Sequence, residues 1–189
     1  MNLRPTAIAA CITIVCAGMV ACGRSATPLP GNGLPARPAT LRIEGIDPCT
    51  LLKPEQYAQL GVDAGHRRDY ASEMPMQGTV CDWSTVQPRD RISYSVALVT
   101  NRGAESALGA EPLRAVGGYA AAPTSSAIGN RQYECLLFVD IAPGRSMLAH
   151  YTNDSEDLPG MTHQRACDNA QAAAEFMLAN LRAAQPGGR

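Results

Sequence analysis

Few side chains in this sequence could move a proton or hold a metal. His66, His150 and His163 are its three histidines. His150 stands next to Tyr151 in an alternating, strand-like stretch. The segment 153–161, between it and His163, carries Asp154, Glu156 and Asp157. Brought together, two imidazoles and a carboxylate could act as an acid–base pair or a metal site, since imidazole titrates near neutrality and both types offer lone pairs. Their spacing matches no known arrangement of that kind, so the expectation is solvated polar residues on an acidic loop. No Gly-x-Ser-x-Gly or Ser-x-x-Lys pattern supplies a nucleophile. Thr124-Ser125-Ser126 has no base near it in sequence, and Gly117-Gly118 is too short for a phosphate-binding loop. The expected protein is therefore not an enzyme and uses neither cofactor nor metal. A weak hydrolase working through His150 or His163 is the one catalytic alternative.

The N-terminus says where these residues would work. Arg4 is followed by an uncharged apolar run over 7–21, too short for a stable bilayer span and suited to an export signal. Met19-Val20-Ala21-Cys22 at its end resembles the lipobox of bacterial lipoproteins, with Met in place of the usual Leu. That resemblance implies diacylglyceryl attachment to the Cys22 thiol, cleavage before Cys22 and acylation (palmitate-type chains) of the freed amine. Several chains on one residue anchor stably where a single chain does not. Residues 1–21 are thus expected as a lipoprotein signal peptide and 22–41 as a flexible tether. Residues 23–41 hold four prolines and three glycines without a hydrophobic period. As a coil, such a tether spans roughly 25 Å. The expected location is the cell membrane, lipid-anchored on its extracytoplasmic face.

Residues 42–185 remain as one globular domain, long enough to own a core. Without residues 1–21 the chain loses one of 16 basic residues and none of 17 acidic ones, a net charge of −2. No basic stretch stands out, which argues against nucleic acid. Of seven cysteines, Cys11 and Cys16 fall in the leader and Cys22 takes lipid. Cys49, Cys81, Cys135 and Cys167 remain, an even number, which outside the cytoplasm implies two disulfides. The favoured pairing is Cys49–Cys81 and Cys135–Cys167. The alternative joins Cys49 to Cys167 and Cys81 to Cys135. A zinc site would need closely spaced ligand pairs, and there are none.

The elements that would position these residues follow from period and punctuation. Asp47-Pro48-Cys49-Thr50 opens a helical pattern with Leu51, Leu52, Tyr57 and Leu60 as its apolar face. Gly61 stops it, and Pro54 is suited to begin the main helix. Residues 62–77 read as a loop, 79–84 and 92–98 as a hairpin turning at 87–90, and 103–110 as a short helix. Residues 117–126 read as a weak strand or a mobile loop. Residues 132–141 and 146–151 are strands joined by a turn at 142–145. In the terminal helix over 162–184, Cys167, Ala170, Ala174, Met177 and Leu181 make one apolar stripe. The fold class is α+β: an antiparallel sheet flanked by helices, stapled by disulfides, in a single domain. Trp83, two residues from Cys81, is expected to pack in the core against a disulfide.

Three fragments in this order carry a family resemblance: Asp47-Pro48-Cys49-Thr50-Leu51-Leu52 before a Leu60-Gly61 stop, Cys81-Asp82-Trp83 opening a strand, and Ala166-Cys167-Asp168 opening the last helix. With the lipobox, they resemble the actinobacterial lipoproteins grouped as domain-of-unknown-function family 3558, over most of residues 45–182. The resemblance implies an envelope protein and transfers no catalytic residue. The expected function is a membrane-anchored, non-catalytic domain that binds a small apolar or lipidic ligand. Its pocket would be framed by the sheet, the last helix and the 117–130 segment, with Met74 and Met76 as adaptable contacts. The alternative is a protein-interaction, sensor or accessory module of an envelope complex or transporter.

Overall fold

In a computed structural model of the chain, residues 33–69, 76–85, 91–109, 111–125, 133–155 and 159–186 are described. They build one seven-stranded, wholly antiparallel sheet in the order β1-β2-β3-β7-β6-β5-β4. The strands are β1 (His66–Asp69), β2 (Gly78–Ser84), β3 (Ile92–Val99), β4 (Arg114–Val116), β5 (Tyr119–Thr124), β6 (Glu134–Ala142) and β7 (Arg145–Asn153). A three-stranded meander, β1 to β3, meets a four-stranded one, β4 to β7, where β3 pairs with β7 from Ile92↔Asn153 to Val99↔Ser146. The expected α+β class holds.

Side chains alternate between the two faces of the sheet, and the faces are covered differently. One packs on α2 (His163–Ala183), which Thr162 caps by accepting from the Arg165 amide at 3.2 Å. All five residues of the expected stripe, Cys167, Ala170, Ala174, Met177 and Leu181, are fully buried there. Ala166, Ala173 and Leu178 widen that stripe. The small alanines bring the helix axis close to Leu137, Val139, Met147 and Ala149 of the sheet. Beside them the rings of Tyr94 and Tyr151 meet at a tilt, 5.1 Å between centroids, and burial, with Tyr151 adding to it, pushes the Tyr94 hydroxyl well above the usual tyrosine range.

The same face receives a 3₁₀ turn, Pro48–Leu51, and α1 (Pro54–Leu60). The helical stretch is split at this point, with Pro54 beginning the main helix as expected. Leu51 and Leu52 are buried before Pro54 starts α1, and α1 itself buries no residue fully. Gly61 ends it in the left-handed region at φ 69°, as the stop signal required. Disulfides tie these pieces to strands: Cys49–Cys81 joins the 3₁₀ turn to β2, and Cys135–Cys167 joins β6 to α2. Of the two pairings open in the sequence, the structure has the favoured one. Trp83 is 0% exposed in this core, against the Cys49–Cys81 bond, as expected. Gly65 leaves room for its indole, because a Cβ there would overlap Trp83 Nε1 and Cys81 Sγ.

The opposite face carries a second apolar cluster of Val80, Ala97, Val99, Phe138 and Leu148, and no α-helix among the described residues packs on it. The chain's own entry segment covers one end of it. Leu34 is 0% exposed within this cluster. Arg37 makes a two-pronged pair with the buried Asp140 at 2.8 and 3.1 Å, and the Leu41 amide donates to the Ile141 carbonyl at 2.9 Å. Leu41 and Ile43 then belong to the first cluster, so this strap crosses one face, rounds the sheet's end and reaches the other. Of the stretch expected as a tether, residues 33–41 are fixed to the domain, because Leu34 buries a full side chain and Arg37 neutralises a buried acid. The expected leader, Cys22 and the rest of residues 1–32 lie outside the described residues.

Two more differences concern strands. The 62–77 loop contains β1, whose four residues are all exposed and charged or polar, so no apolar alternation marked it. An edge strand with such side chains resists pairing with other chains. The 117–126 stretch is ordered through Thr124 and contributes β5. Gly117 and Gly118, at φ 52° and 87°, make the two-residue hairpin turn that only residues tolerant of positive φ allow. The expected 103–110 helix is a single 3₁₀ turn, Ala104–Ala107, laid on the second cluster beside β5 and β6.

Candidate functional site

The hairpin of β6 and β7 brings His150 to the half of the second face that the strap leaves open. Its Nε2 lies 2.6 Å from Glu134 Oε1, and its Nδ1 lies 3.5 Å from Ser95 Oγ. The register explains this row. His150 faces Ser95 on β3 and Leu136 on β6, one step along from Glu134. Nε2–H donates to the carboxylate, which leaves Nδ1 to accept from the serine hydroxyl. The Glu134 side chain is 4% exposed and that of His150 25%, so the acid is the inner member.

A carboxylate, an imidazole and a hydroxyl in line have the order used to activate a nucleophile. Here the row has no oxyanion partner among the described residues. Ser95 sits mid-strand between β2 and β7, and the main-chain amides around it belong to the ladders on either side. None is left to stabilise negative charge on a bound carbonyl. The row serves as a hydrogen-bonded polar patch that lets a buried carboxylate lie on a sheet face.

His163 takes part in a different cluster on the α2 side of the sheet. Its Nδ1 donates to the Glu134 main-chain carbonyl at 2.8 Å, and its Nε2 lies 2.6 Å from Glu111 Oε1 and 3.5 Å from Cys167 Sγ. His150 and His163 thus both meet Glu134, one through its carboxylate and the other through its backbone, and do not form one site. The acids that meet them, Glu134 and Glu111, are not those the sequence suggested. Asp154 bonds through its amide to the Arg91 carbonyl, and Glu156 and Asp157 lie outside the described residues. The hairpin turn at 142–145 held a signal for Glu134, since counting back from it brings Glu134 within one pair of His150. Nothing local marked Glu111. His66 is exposed on β1. Cys135, His163 and Cys167 have donor atoms within 4.8 Å of one another, but the two sulfurs are bonded to each other and offer no thiolate to a metal.

The concave surface lies elsewhere, where the strap rounds the end of the sheet. One groove of about 570 Å³ runs between Leu41, Arg42 and Glu44 on one wall and Ala142, Pro143 and Arg145 on the other. A second, of about 370 Å³, continues past Glu44 to Asp47, Arg67, Thr79 and Thr100. Glu44 pairs with Arg145 across the first groove. Both are open to solvent, and their walls mix charged residues with apolar ones such as Leu41, Pro143, Ile46 and Leu98. Neither groove is lined by residues 117–125; residues 126–130 and Met74 lie outside the described residues, and Met76 packs on the second cluster. Among the described residues no helix is long and apolar enough to cross a membrane.

A family model described as a protein of unknown function (DUF3558) matches residues 8–180. No curated protein and no solved structure matches the chain.

Proposed function

The chain belongs to the DUF3558 family, and from that premise we propose that it is an extracytoplasmic lipoprotein, anchored through Cys22, whose domain is a non-catalytic interaction module of the cell envelope. The observation behind this reading is the contrast between core and surface. The space between sheet and α2 is filled by side chains such as Leu137, Met147, Met177 and Leu181, all 0% exposed. An apolar or lipidic ligand needs an enclosed apolar cavity. The grooves at the end of the sheet are open and walled by Arg42, Glu44, Asp47, Arg67 and Arg145, which suits a polar, charged segment of a partner protein. The membrane location rests on the Met19-Val20-Ala21-Cys22 pattern and its apolar leader, and an actinobacterial origin on the family resemblance.

A photo-crosslinking residue placed at Thr40, on the wall of the first groove, is expected to capture a discrete partner in intact cells. The same residue at Gln59, on α1, is expected to capture none. Capture of no partner at Thr40, together with a lipid that co-purifies in native mass spectrometry, would return the apolar-ligand reading in place of this one.

A further inference from the structure

The disulfide between β6 and α2 sits among donors that suit a metal once its two sulfurs are apart. Cys135 Sγ, Cys167 Sγ and a ring nitrogen of His163 lie within 4.8 Å of one another. His163 Nε2 is 3.5 Å from Cys167 Sγ and 2.6 Å from Glu111 Oε1. Around a tetrahedral zinc ion, with Zn–S near 2.3 Å and Zn–N near 2.0 Å, a sulfur and a nitrogen stand about 3.5 Å apart. The imidazole is already turned for this. Its Nδ1 donates to the Glu134 carbonyl at 2.8 Å, which is the support a zinc-bound histidine commonly has, and Nε2 is left facing the sulfur and the carboxylate. Around Cys49–Cys81 no such set of donors gathers among the described residues.

The cluster is open on one side. Both sulfurs are buried, but the His163 side chain is 37% exposed and that of Glu111 27%. His163 is the first residue of α2 and Cys167 lies one turn further in, at a helix end, where local opening is easiest. An ion or a small thiol reagent reaches the sulfurs from there.

We infer that the thiol form of this chain holds one zinc ion at Cys135, Cys167, His163 and Glu111, and that forming the disulfide expels it. Every chain passes through the thiol form, because disulfides are made after synthesis. On binding, the two thiols lose their protons to solvent, as does the proton shared by His163 Nε2 and Glu111, and zinc takes their places. On oxidation, a small disulfide accepts two electrons from the two thiolates and leaves as two thiols. The Cys135–Cys167 bond forms and the ion departs. The joint between β6 and α2 is thus clasped by a metal or by a covalent bond, never by both. The inference does not depend on the lipid anchor or on the interaction reading.

The full chain would be reduced with a phosphine, freed of reagent without oxygen and titrated with zinc against a competing chelator. One equivalent is expected to bind, and adding a small disulfide is expected to release it. The Cys49→Ser/Cys81→Ser chain should keep that equivalent and the Cys135→Ser/Cys167→Ser chain should lose it. His163→Ala is expected to weaken binding about a hundredfold and Glu111→Gln about tenfold. Cobalt in place of zinc reports tetrahedral thiolate ligation by its intense visible bands. No zinc bound, or zinc held equally well by the His163→Ala or the Cys135→Ser/Cys167→Ser chain, would overturn the site. If the reduced chain loses its structure, zinc is expected to restore its far-UV circular dichroism, because binding then carries folding free energy. A reduced chain that stays unfolded with zinc present would overturn the site as well.

Discussion

The two faces of the sheet are built by different means. On the face under α2, a helix of alanines, Met177 and Leu181 closes a continuous core, and both disulfides lie in it. On the other, a smaller apolar cluster is covered at one end by the 33–41 strap and the Ala104–Ala107 turn, and the rest is a polar patch around His150. The first face is held by elements that are themselves held, at both ends of long sequence separations. The second depends on a strap with one buried leucine and one ion pair. The difference teaches that stability is concentrated on the helix side, while the strap side is held by a few specific contacts.

This contrast can be broken or sharpened in order of expected effect. Replacing Cys135 and Cys167 together by alanine is expected to cost about 3–4 kcal/mol of unfolding free energy in denaturant titrations, from loop-closure entropy. The Cys49–Cys81 pair should cost the same, because both close 32 residues. A loss under about 1 kcal/mol for either would mean that the helix side does not carry the fold.

Arg37→Ala strips the partner from Asp140, whose side chain is 1% exposed, and is expected to cost about 3 kcal/mol. Replacing both residues by apolar ones of similar size should recover most of that loss, since no buried charge then remains unpaired.

Leu34→Ala is expected to cost about 2 kcal/mol, at the low end for a buried leucine because the strap can relax. Its signature should be local: protease cleavage within 33–41 at temperatures where the sheet is still folded. If instead cleavage appears only with global unfolding, strap and sheet form one cooperative unit and the contrast between the faces fails. The smallest effect belongs to Leu108→Ser, whose change in thermal midpoint should correspond to less than about 0.5 kcal/mol, because the side chain is already exposed. A larger loss would make Leu108 part of the fold and not of a surface.

Legibility followed the range of the interaction. The α2 stripe from Cys167 to Leu181 was readable because every residue in it is placed by its neighbours three and four positions away. The β6–β7 hairpin and the fold class were readable for the same reason, at period two. β1 was not: an edge strand of His, Arg, Arg and Asp buries nothing and so shows no alternation. The candidate site was legible only in part. Its histidines could be named as residue types, but Glu111 meets His163 across 52 positions, and no local pattern encodes that pairing.

The sequence by itself determined the α2 stripe, the two strong hairpins and the even set of four cysteines that pair. Each of these is written in spacing along the chain. Only the tertiary structure decided that β3 lies beside β7, that Glu134 meets both His150 and His163, and that the 33–41 strap is fixed on the sheet. The last turns on Arg37 and Asp140, 103 positions apart. Neither residue announces the other, and the pair forms only because the packed sheet buries Asp140 and leaves its charge to be met.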